Sequence, residues 1–403
     1  MDLISRDAFW RIDHGSLDHR PTLHRDLRCD VVVVGGGISG AMIAHELVKQ
    51  GHDTVLLERF DVGSGSTSGS TALIQYETDL SLTDLAEKHG VDFAGRVYRS
   101  TYAALDVVRD YAREVGHGPC VPRESYYLAS RPEDAQAFEA EVALRRRFGV
   151  ASTVIDAAEI ERRFPFRRAG AILSNALELD PYRMTGDLLR HASNAGLRIF
   201  DRTNVVAFDD TGADALEVTT AAGHRIRCRR LVFAIGYEAA AYLPENLVQL
   251  HSSYALVSKP MESWEGWHGR ALLWETARPY LYLRTTADGR ALIGGLDDVS
   301  PNAELRDARI PAKAKELEAR FRSFFPNLSF DPAYAWGGTF GESPDSLPYL
   351  GSVPRYRRVF FACGFGGNGI TFSAIAARLF ADLIAGRPNE ASGFFGFERV
   401  KRD

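Results

Sequence analysis

A glycine-rich turn between a buried strand and a helix constrains the fold of this chain more than any other feature. The run CDVVVV at 29–34 is typical of a strand buried on both faces, and the motif GxGxxG follows it at 35–40. A helical pattern then ends at Gly51, and the run DTVLLE at 53–58 predicts a second strand. Strand, helix and strand within about 30 residues predict a βαβ unit of a parallel sheet.

The glycines of this motif meet the physical requirements of a bound pyrophosphate. They permit the tight turn, the close approach of backbone to phosphate and the close packing of helix on strand, while the helix N-terminus faces the phosphate charge. Glu58 follows the last glycine by 18 residues, at a strand end where a carboxylate accepts hydrogen bonds from ribose hydroxyls. Because a carboxylate repels a 2′-phosphate, the motif predicts a dinucleotide without that phosphate.

The composition is that of an ordinary globular protein. Of the 403 residues, 45% are hydrophobic and 25% are charged, and the net charge is -5, which excludes wholesale disorder and gives no basic surface for nucleic acid. No segment has the features of a signal peptide or the roughly 18 apolar residues of a spanning helix. The four cysteines are scattered, and the eleven histidines do not follow metal-ligand spacing. We therefore expect a cytoplasmic protein with free thiols, no metal, no nucleic-acid partner and no transmembrane segment.

A second glycine loop opens the last predicted helix. The run CGFGGNGIT at 363–371 follows a predicted strand, and more than 320 residues separate it from the first motif. A further buried strand at 230–233 ends in the small-residue turn AIG, and Val205 is predicted to end another strand. Two helix N-termini with glycine loops indicate a long cofactor held at both ends, and the second loop can place N–H groups against the pyrimidine edge of a flavin.

Local signals predict other helices. Helical periodicity covers 82–115 and 312–325, and Asp156 and Asp180 are placed as N-caps. Three consecutive arginines at 145–147 are interpreted as a solvated helix face.

Several longer stretches complete a pattern that one family shares. They are VVVVGGGISGAMIAHEL, GSGSTSGSTALIQYE, LELDPYRM, RLVFAIG, PYLYLRTTADGRALIGG, and ESPDSLPYLG followed by FFACGFGGNGITFS. On these stretches, which lie within 21–388, the sequence resembles the FAD-dependent D-amino-acid oxidase-like superfamily, near glycine oxidase, monomeric sarcosine oxidase and γ-glutamylputrescine oxidase. The resemblance implies an α/β fold, in which a Rossmann-like FAD-binding domain of the glutathione-reductase type carries an inserted α+β substrate domain built on an antiparallel sheet.

We expect an arm and two domains, with FAD as the cofactor. The arm covers 1–24 and docks through Phe9 and Trp10, the discontinuous FAD-binding domain covers 25–80, 151–240 and 331–390, and the substrate domain covers 81–150 and 241–330. The residues expected to bind FAD are Gly35, Gly37, Ile38, Ser39, Gly40, Glu58, Arg59, Ser66, Thr67, Ser68, Val205, Ala234, Gly236, Gly338, Gly364, Gly366, Gly367, Asn368, Gly369, Ile370 and Thr371.

The resemblance implies FAD bound without a covalent link. Sarcosine oxidase-like members attach the flavin through a cysteine shortly before the SPD-like segment, and that place falls at Gly338. Other members use a histidine in the loop after the second strand, and the loop GSGSTSGSTAL at 63–73 contains none.

Missing cations mark the expected substrate pocket. Family members that oxidise amino acids hold the substrate carboxylate with cationic side chains, whose places fall at Gln75, at Thr371 and near Phe340. All three residues are neutral, which disfavours a small amino acid such as glycine or sarcosine.

Other side chains are candidates for the same pocket. Tyr280, Tyr282 and Arg284 alternate on one face of a predicted strand, and Tyr254 lies on a neighbouring predicted strand. Glu77, which follows the serine-rich loop, can hold a substrate ammonium group. The alternatives are half-buried sheet tyrosines, an Arg284 paired with an acid, and a solvated Glu77.

The expected reaction is oxidation of the C–N bond of an amine or amino acid. A hydride passes from the carbon next to the nitrogen to flavin N5, and water hydrolyses the resulting imine. The partners are a small-molecule substrate and either O2 or another electron acceptor, since the place of the family's oxygen-activating lysine falls at Leu292. Two alternatives stay open. One is oxidation of a 2-hydroxy acid, for which no cationic clamp or base is found, and the other is a flavin-binding protein without turnover.

Overall fold

The computed structural model describes residues 2–5, 8–212, 214–243 and 247–402. The strands, in chain order, are β1 (Leu27–Arg28), β2 (Val31–Val34), β3 (Thr54–Leu57), β4 (Ile74–Gln75), β5 (Val121–Leu128), β6 (Thr153–Asp156), β7 (Gly170–Glu178), β8 (Arg198–Phe200), β9 (Val205–Asp209), β10 (Leu216–Thr220), β11 (Arg225–Cys228), β12 (Arg230–Phe233), β13 (Gln249–Ser258), β14 (Leu272–Glu275), β15 (Tyr282–Thr285), β16 (Ala291–Asp298), β17 (Pro332–Glu342), β18 (Tyr349–Val353) and β19 (Tyr356–Cys363). The α-helices are α1 (Phe9–His14), α2 (Ile38–Lys49), α3 (Ser66–Gly69), α4 (Leu82–His89), α5 (Val91–Glu114), α6 (Phe138–Arg147), α7 (Ala157–Arg163), α8 (Pro181–Asn194), α9 (Ala303–Phe324), α10 (Gly369–Ile384) and α11 (Ser392–Phe395). Short 3-10 helices cover Asp134–Ala137, Gly236–Tyr242, His268–Arg270 and Phe397–Arg402.

The first glycine turn lies at the centre of a six-stranded sheet with the order β18-β19-β12-β2-β3-β8. β2 and β3 pair in parallel with Val31 opposite Thr54, and every residue of both strands is buried. Val31 and Val33 pack on a helical layer that includes α2 and α10, while Val32 packs on the four-stranded sheet β1-β11-β10-β9. Burial on both faces explains the unbroken β-branched run, and the predicted βαβ unit is confirmed.

A nine-stranded sheet has the order β17-β13-β16-β15-β14-β5-β7-β4, with β6 also paired to β7. Its neighbours are antiparallel except β5 and β14, which run parallel. One face packs on α9 through Leu317, Phe321 and Phe324. The expected α/β fold is therefore confirmed, with one parallel pair inside the sheet that was expected to be antiparallel.

The sheets divide the chain differently from the expected domain boundaries. β6, β7 and β17 fall in segments expected in the FAD-binding domain, yet they belong to the nine-stranded sheet. Conversely, α5 falls in a segment expected in the substrate domain, yet its Val97 and Leu105 join the helical layer of the six-stranded sheet. Pairing between distant segments decides sheet membership, and the local pattern of a single segment does not reveal it. The division into two domains stays a prediction.

Two helices differ from their predicted extents. The helix predicted over 82–115 is two helices, because Gly90 has a φ of +90° and separates α4 from α5. The helix predicted over 312–325 begins nine residues earlier, at Ala303, where the side chain of Asn302 caps it.

Asp180 joins the start of α8 to the N-terminal arm. Its Oδ1 accepts hydrogen bonds from the backbone N–H groups of Tyr182 and Arg183, both at 2.9 Å. Its Oδ2 lies 2.5 Å from Nε2 of His14, and this hydrogen bond raises the pKa of His14. Asp156 caps α7 in the same way, so both predicted N-caps are confirmed. The expectation that Val205 ends a strand is wrong, because it begins β9.

The N-terminal arm extends the edge of the nine-stranded sheet. Leu3 and Ser5 exchange backbone hydrogen bonds with β17 at 2.8 and 3.0 Å. Phe9 and Trp10 of α1 are buried, as expected for a docked arm. Trp10 also donates its indole N–H to the carbonyl of Ser70 at 2.7 Å, which fixes the arm to the serine-rich loop.

Two substitutions separate the cap formed by Asp180 from its contact with His14. Asp180→Ala removes both the N-cap and the contact with His14, and loss of the cap is expected to lower the free energy of unfolding by about 1 kcal/mol at every pH. Asp180→Asn keeps an N-cap but removes the charge that pairs with protonated His14. Because the folded pKa of His14 is raised, the pair stabilises the fold fully below about pH 6.5, and the contribution is lost as the pH rises through the folded pKa.

The Asn variant should therefore lose about 0.5–1 kcal/mol at about pH 5.5 and much less at about pH 8.5. Urea unfolding at the two pH values measures both variants. An equal loss for Asp180→Asn at both values would show that His14 does not contribute.

Candidate active site

A cavity of about 1050 Å³ extends from the first glycine turn to the nine-stranded sheet. Both glycine loops, the serine-rich loop, the start of the N-terminal arm and residues of β13, β16 and β17 form its wall. Its volume slightly exceeds the usual range for small-molecule sites, about 300–1,000 Å³. Segments that are distant in sequence therefore share one binding space.

The first glycine turn leaves no room for side chains. A Cβ added to Gly40 would lie 1.9 Å from the carbonyl oxygen of Gly35, and one added to Gly35 would lie 2.4 Å from the carbonyl oxygen of Ala234. Gly35 also has a φ of +109°, which favours glycine. Gly37 begins α2 without a side-chain cap, and this helix end lines the cavity. The turn therefore presents backbone and the positive end of a helix to a ligand.

Backbone N–H groups hold Glu58 at the end of β3. Its Oε2 accepts from Gly36 at 2.7 Å and its Oε1 accepts from Phe60 at 2.8 Å. Burial raises the pKa of this carboxyl group, which lines the cavity beside the turn. From the serine-rich loop, Thr67 accepts a hydrogen bond from the N–H of Ile38 at 2.9 Å. Glu58 is therefore placed as a ribose-binding acid requires, at a strand end beside the glycine turn.

Asp79 ties the second glycine loop to a tyrosine of the cavity wall. Its Oδ2 accepts from the N–H of Gly367 at 3.1 Å, and its Oδ1 accepts from the hydroxyl of Tyr280 at 3.0 Å. Asn368 begins α10 without capping it, because its amide nitrogen donates to the carbonyl of Glu77. The start of α10 lines the cavity and presents a second positive helix end. Asp79 was not predicted from the sequence, because it belongs to no recognisable motif.

Most residues expected to bind FAD line the cavity. They are Gly35, Gly37, Ile38, Ser39, Glu58, Arg59, Ser66, Thr67, Val205, Ala234, Gly236, Gly338, Gly366, Gly367, Asn368, Gly369 and Ile370. The others, Gly40, Ser68, Gly364 and Thr371, do not line the cavity. The hydroxyl of Thr371 donates to the carbonyl of Gln75 at 2.8 Å.

The other end of the cavity is aromatic. Tyr280, Tyr282 and Trp274 line it. Tyr254 also contributes to the wall, but its hydroxyl donates to Asp298 at 2.7 Å and its ring centroid lies 4.9 Å from Nζ of Lys313. Burial raises the pKa of Tyr282 to about 12, so its hydroxyl is neutral. Gln75 also lines the cavity, and its amide oxygen is buried with no hydrogen-bond partner among the described residues. The aromatic end can therefore enclose an apolar or cationic group, and the amide oxygen of Gln75 is a free acceptor in the cavity wall.

The expectation that Arg284 faces the substrate is wrong. Its side chain is buried away from the cavity wall and donates to the carbonyl of Ala72 at 2.5 Å and to that of Leu179 at 3.2 Å. Burial lowers the pKa of this guanidinium group. Arg284 therefore satisfies backbone carbonyls beneath the cavity, although it alternates with Tyr282 on β15.

The expectation that Glu77 faces the substrate is also wrong. Its carboxylate is fully buried away from the cavity wall, 3.2 Å from the guanidinium of Arg145, and accepts from the hydroxyl of Ser174. Arg145, expected on a solvated helix face, is 1% exposed and also pairs with Glu141 at 2.7 Å. A single sequence shows the helical phase of α6 but not the two acids that require a buried cation.

Asp297, which was not predicted from the sequence, is the acid that does line the aromatic end. Its Oδ1 is buried with no hydrogen-bond partner among the described residues, and burial raises its pKa to about 6. Among the described residues of the wall, Arg59 is the sole cationic side chain, and it pairs with Glu238 at 3.1 Å. The aromatic end therefore carries a carboxylate without a cation in the wall.

A glycine turn on a parallel sheet, a strand-end acid and a second helix N-terminus around one long cavity define a dinucleotide-dependent enzyme. The family described as DAO, FAD dependent oxidoreductase, matches residues 30–383. This chain belongs to that family, and its cofactor is FAD. The suspected superfamily is confirmed, as is the assignment as an oxidoreductase.

Individual relatives align over nearly the whole chain, but at low sequence identity. Glycine oxidase of Bacillus licheniformis is 23% identical, over 93% of this chain and 98% of its own length. Gamma-glutamylputrescine oxidoreductase of Escherichia coli is 24% identical, over 93% of this chain and 87% of its own length. Among solved structures, L-proline dehydrogenase from P. horikoshii superposes with a TM-score of 0.76 at 21% identity, covering 93% of this chain and 99% of that chain. The family rests on the match over residues 30–383, and the solved structure shows the fold alone.

The residues present fit FAD. The first turn is a cradle that any Cβ would fill, Glu58 is oriented for a ribose, and two helix ends open on the same cavity.

Within the described ranges, no helix is both long and apolar enough to cross a membrane.

The buried pairing of Glu77 predicts a large loss of stability when its partner is removed. Arg145→Met leaves two carboxylates, those of Glu77 and Glu141, buried without a cation, and we expect the free energy of unfolding to fall by about 3–5 kcal/mol. Urea unfolding measures the change. The matched control is Arg147→Met in the same run of arginines, where the side chain is exposed and the expected change is within about 0.5 kcal/mol. Similar losses for both variants would contradict the buried pairing.

Proposed function

We propose that this protein oxidises the C–N bond of an amine or amino acid, and that an amine is the favoured substrate. The observation that carries this proposal is the continuous cavity, which joins the FAD-binding elements to an aromatic end without a cation among its described wall residues. The absence of a carboxylate clamp there disfavours a small amino acid. One relative is named for γ-glutamylputrescine and another for glycine, so the family context includes both possibilities.

Bound FAD supplies the acceptor for a hydride that leaves the carbon next to the substrate nitrogen. The nitrogen must be neutral at that moment, because its lone pair forms the C=N bond of the imine as the hydride departs. Water then adds to the imine and releases the amine fragment and a carbonyl compound.

The protein contributes orientation and a dry environment. Tyr280, Tyr282 and Trp274 surround the aromatic end and exclude water from the reacting atoms. The uncapped start of α10 supports negative charge that develops in the cavity during the reaction. We further propose a cytoplasmic enzyme that passes its electrons to O2 or to another small acceptor.

Anaerobic reduction tests the proposal directly. The flavin absorbance of the holoenzyme should be bleached by simple amines such as n-butylamine and N-methylbutylamine, and more slowly by glycine, sarcosine or L-proline. Peroxide detection in air and an artificial acceptor without air then identify the electron acceptor. Bleaching by lactate or 2-hydroxyglutarate alone would support 2-hydroxy-acid oxidation instead. A flavin that no compound bleaches would contradict the proposal and favour a flavin-binding protein without turnover.

We also predict that the FAD is not covalently attached. The place of the attaching cysteine is occupied by Gly338, and the loop at 63–73 has no histidine. Acid precipitation of the holoenzyme should therefore leave the yellow colour in the supernatant. Flavin that stays with the pellet, and with a tryptic peptide of it, would disprove this prediction.

A further inference from the structure

Two successive carboxylates at the end of β16 have opposite surroundings. Asp298 accepts a hydrogen bond from the hydroxyl of Tyr254 at 2.7 Å and pairs with Lys313 at 3.1 Å and Arg309 at 2.9 Å. Asp297 lines the cavity and forms no ion pair with the described residues, and its Oδ1 has no hydrogen-bond partner among them. Neighbouring side chains of a strand point to opposite faces, which explains the contrast. One acid is neutralised, while the other faces the cavity without a counter-charge.

The backbone before Asp297 is held in an unusual conformation. The register between β13 and β16 shifts between Ser252 and Tyr254, which marks a bulge at this point. Within it, Leu296 has a φ of +59°, a left-handed conformation that a bulky residue rarely adopts. Bulges of this kind redirect side chains beside active sites. The strain at Leu296 therefore accompanies the placement of Asp297 in the wall.

Aromatic rings occupy the same end of the cavity. The ring centroids of Tyr280 and Tyr282 lie 5.8 Å apart, and those of Trp274 and Tyr280 lie 6.2 Å apart. The faces of such rings attract cations. The guanidinium of Arg278 lies 4.9 Å from the ring centroid of Tyr280 and donates to the carbonyl of Asp79 at 2.8 Å. Arg278 is not among the described residues that line the cavity.

The charges around Asp297 leave it under-compensated. The charged and titratable groups that act on it are Asp79, Asp298, Lys313, Tyr280 and Tyr282. Lys313 is already paired with Asp298, and both tyrosines are neutral because burial raises their pKa values. The hydroxyl of Ser253 favours the ionised form, but burial outweighs it and raises the pKa of Asp297 to about 6. A bound cation would supply the missing charge.

We propose that Asp297 binds the ammonium group of the substrate inside the enclosure formed by Tyr280, Tyr282 and Trp274, so that the substrate is an alkylamine without a carboxylate at this end. The proposal rests on the proposed function and assigns its substrate class. An amino acid would place its own carboxylate in the same enclosure, where Asp297 repels it and no cationic side chain among the described residues of the enclosure attracts it.

A cation that cannot react separates binding from oxidation. Tetramethylammonium has no nitrogen lone pair, so it cannot give an imine, and its charge does not change with pH. Pivalate has a similar shape and the opposite charge. Titration of the oxidised holoenzyme with each compound, followed by the flavin difference spectrum and by tryptophan fluorescence, gives the two dissociation constants.

The wild type should bind tetramethylammonium at least about tenfold more tightly than pivalate, a difference of about 1.4 kcal/mol. Asp297→Asn should weaken tetramethylammonium about tenfold or more without weakening pivalate. The control Asp331→Asn removes an exposed acid that pairs with Lys259, and should change neither constant more than twofold. Tetramethylammonium should also bind the wild type more tightly as the pH rises through about 6, and this dependence should vanish in Asp297→Asn.

Stability provides an independent check of the variant. Because the folded pKa of Asp297 is raised, its ionisation destabilises the fold as the pH rises from about 4 to about 6. Asp297→Asn should therefore be at least as stable as the wild type at about pH 7.5 in urea. A marked loss of stability would indicate an unrecognised partner of Asp297 and would overturn the proposal.

The results distinguish this inference from the proposed function. Unchanged tetramethylammonium binding in Asp297→Asn, or equal loss of tetramethylammonium and pivalate binding, overturns the role of Asp297 even if amines bleach the flavin. Binding that depends on Asp297, in an enzyme whose flavin no amine bleaches, supports the cation site and contradicts the proposed function.

Discussion

The close contact of backbone at the first glycine turn is the constraint on which the remaining structure depends. Gly40 lies against the carbonyl of Gly35, and Gly35 lies against the carbonyl of Ala234, with no space for a Cβ at either glycine. These contacts hold α2 against β2 and bring β12 beside both. Because the turn is made of backbone alone, the helix end and Glu58 open on the cavity without a side chain between them. The position of the cofactor is therefore set by main-chain packing in the core of the six-stranded sheet.

The sequence predicted this part of the molecule well because the signals are local. A β-branched run, a glycine turn, a helix and an acid follow one another within residues 29–58. Each of these features can be recognised from its neighbouring residues alone. The caps Asp156 and Asp180 were predictable for the same reason. The break between α4 and α5 at Gly90 was not predicted, because apolar residues continue with helical periodicity on both sides of this glycine.

The substrate end was less predictable because partners from distant segments decide it. Arg284 and Glu77 carry the charges expected of a substrate site. However, Arg284 donates hydrogen bonds to backbone carbonyls, and Glu77 forms an ion pair with Arg145. Oδ1 of Asp297 has no hydrogen-bond partner in the described part of the chain, but the sequence context, Gly-Gly-Leu-Asp-Asp, does not show which of the two acids faces the cavity. The bulge between β13 and β16 makes that choice, and a bulge depends on the pairing of two strands.

The buried cluster of Glu77, Arg145 and Glu141 links fold stability to cofactor retention. The carboxylate of Glu141 accepts the first N–H groups of α4, and the carbonyl of Glu77 accepts from Asn368 in the second glycine loop. A change in this cluster therefore reaches the start of one helix and the cofactor loop through direct hydrogen bonds. We therefore expect FAD to be released when this region opens, and flavin fluorescence can then follow the unfolding.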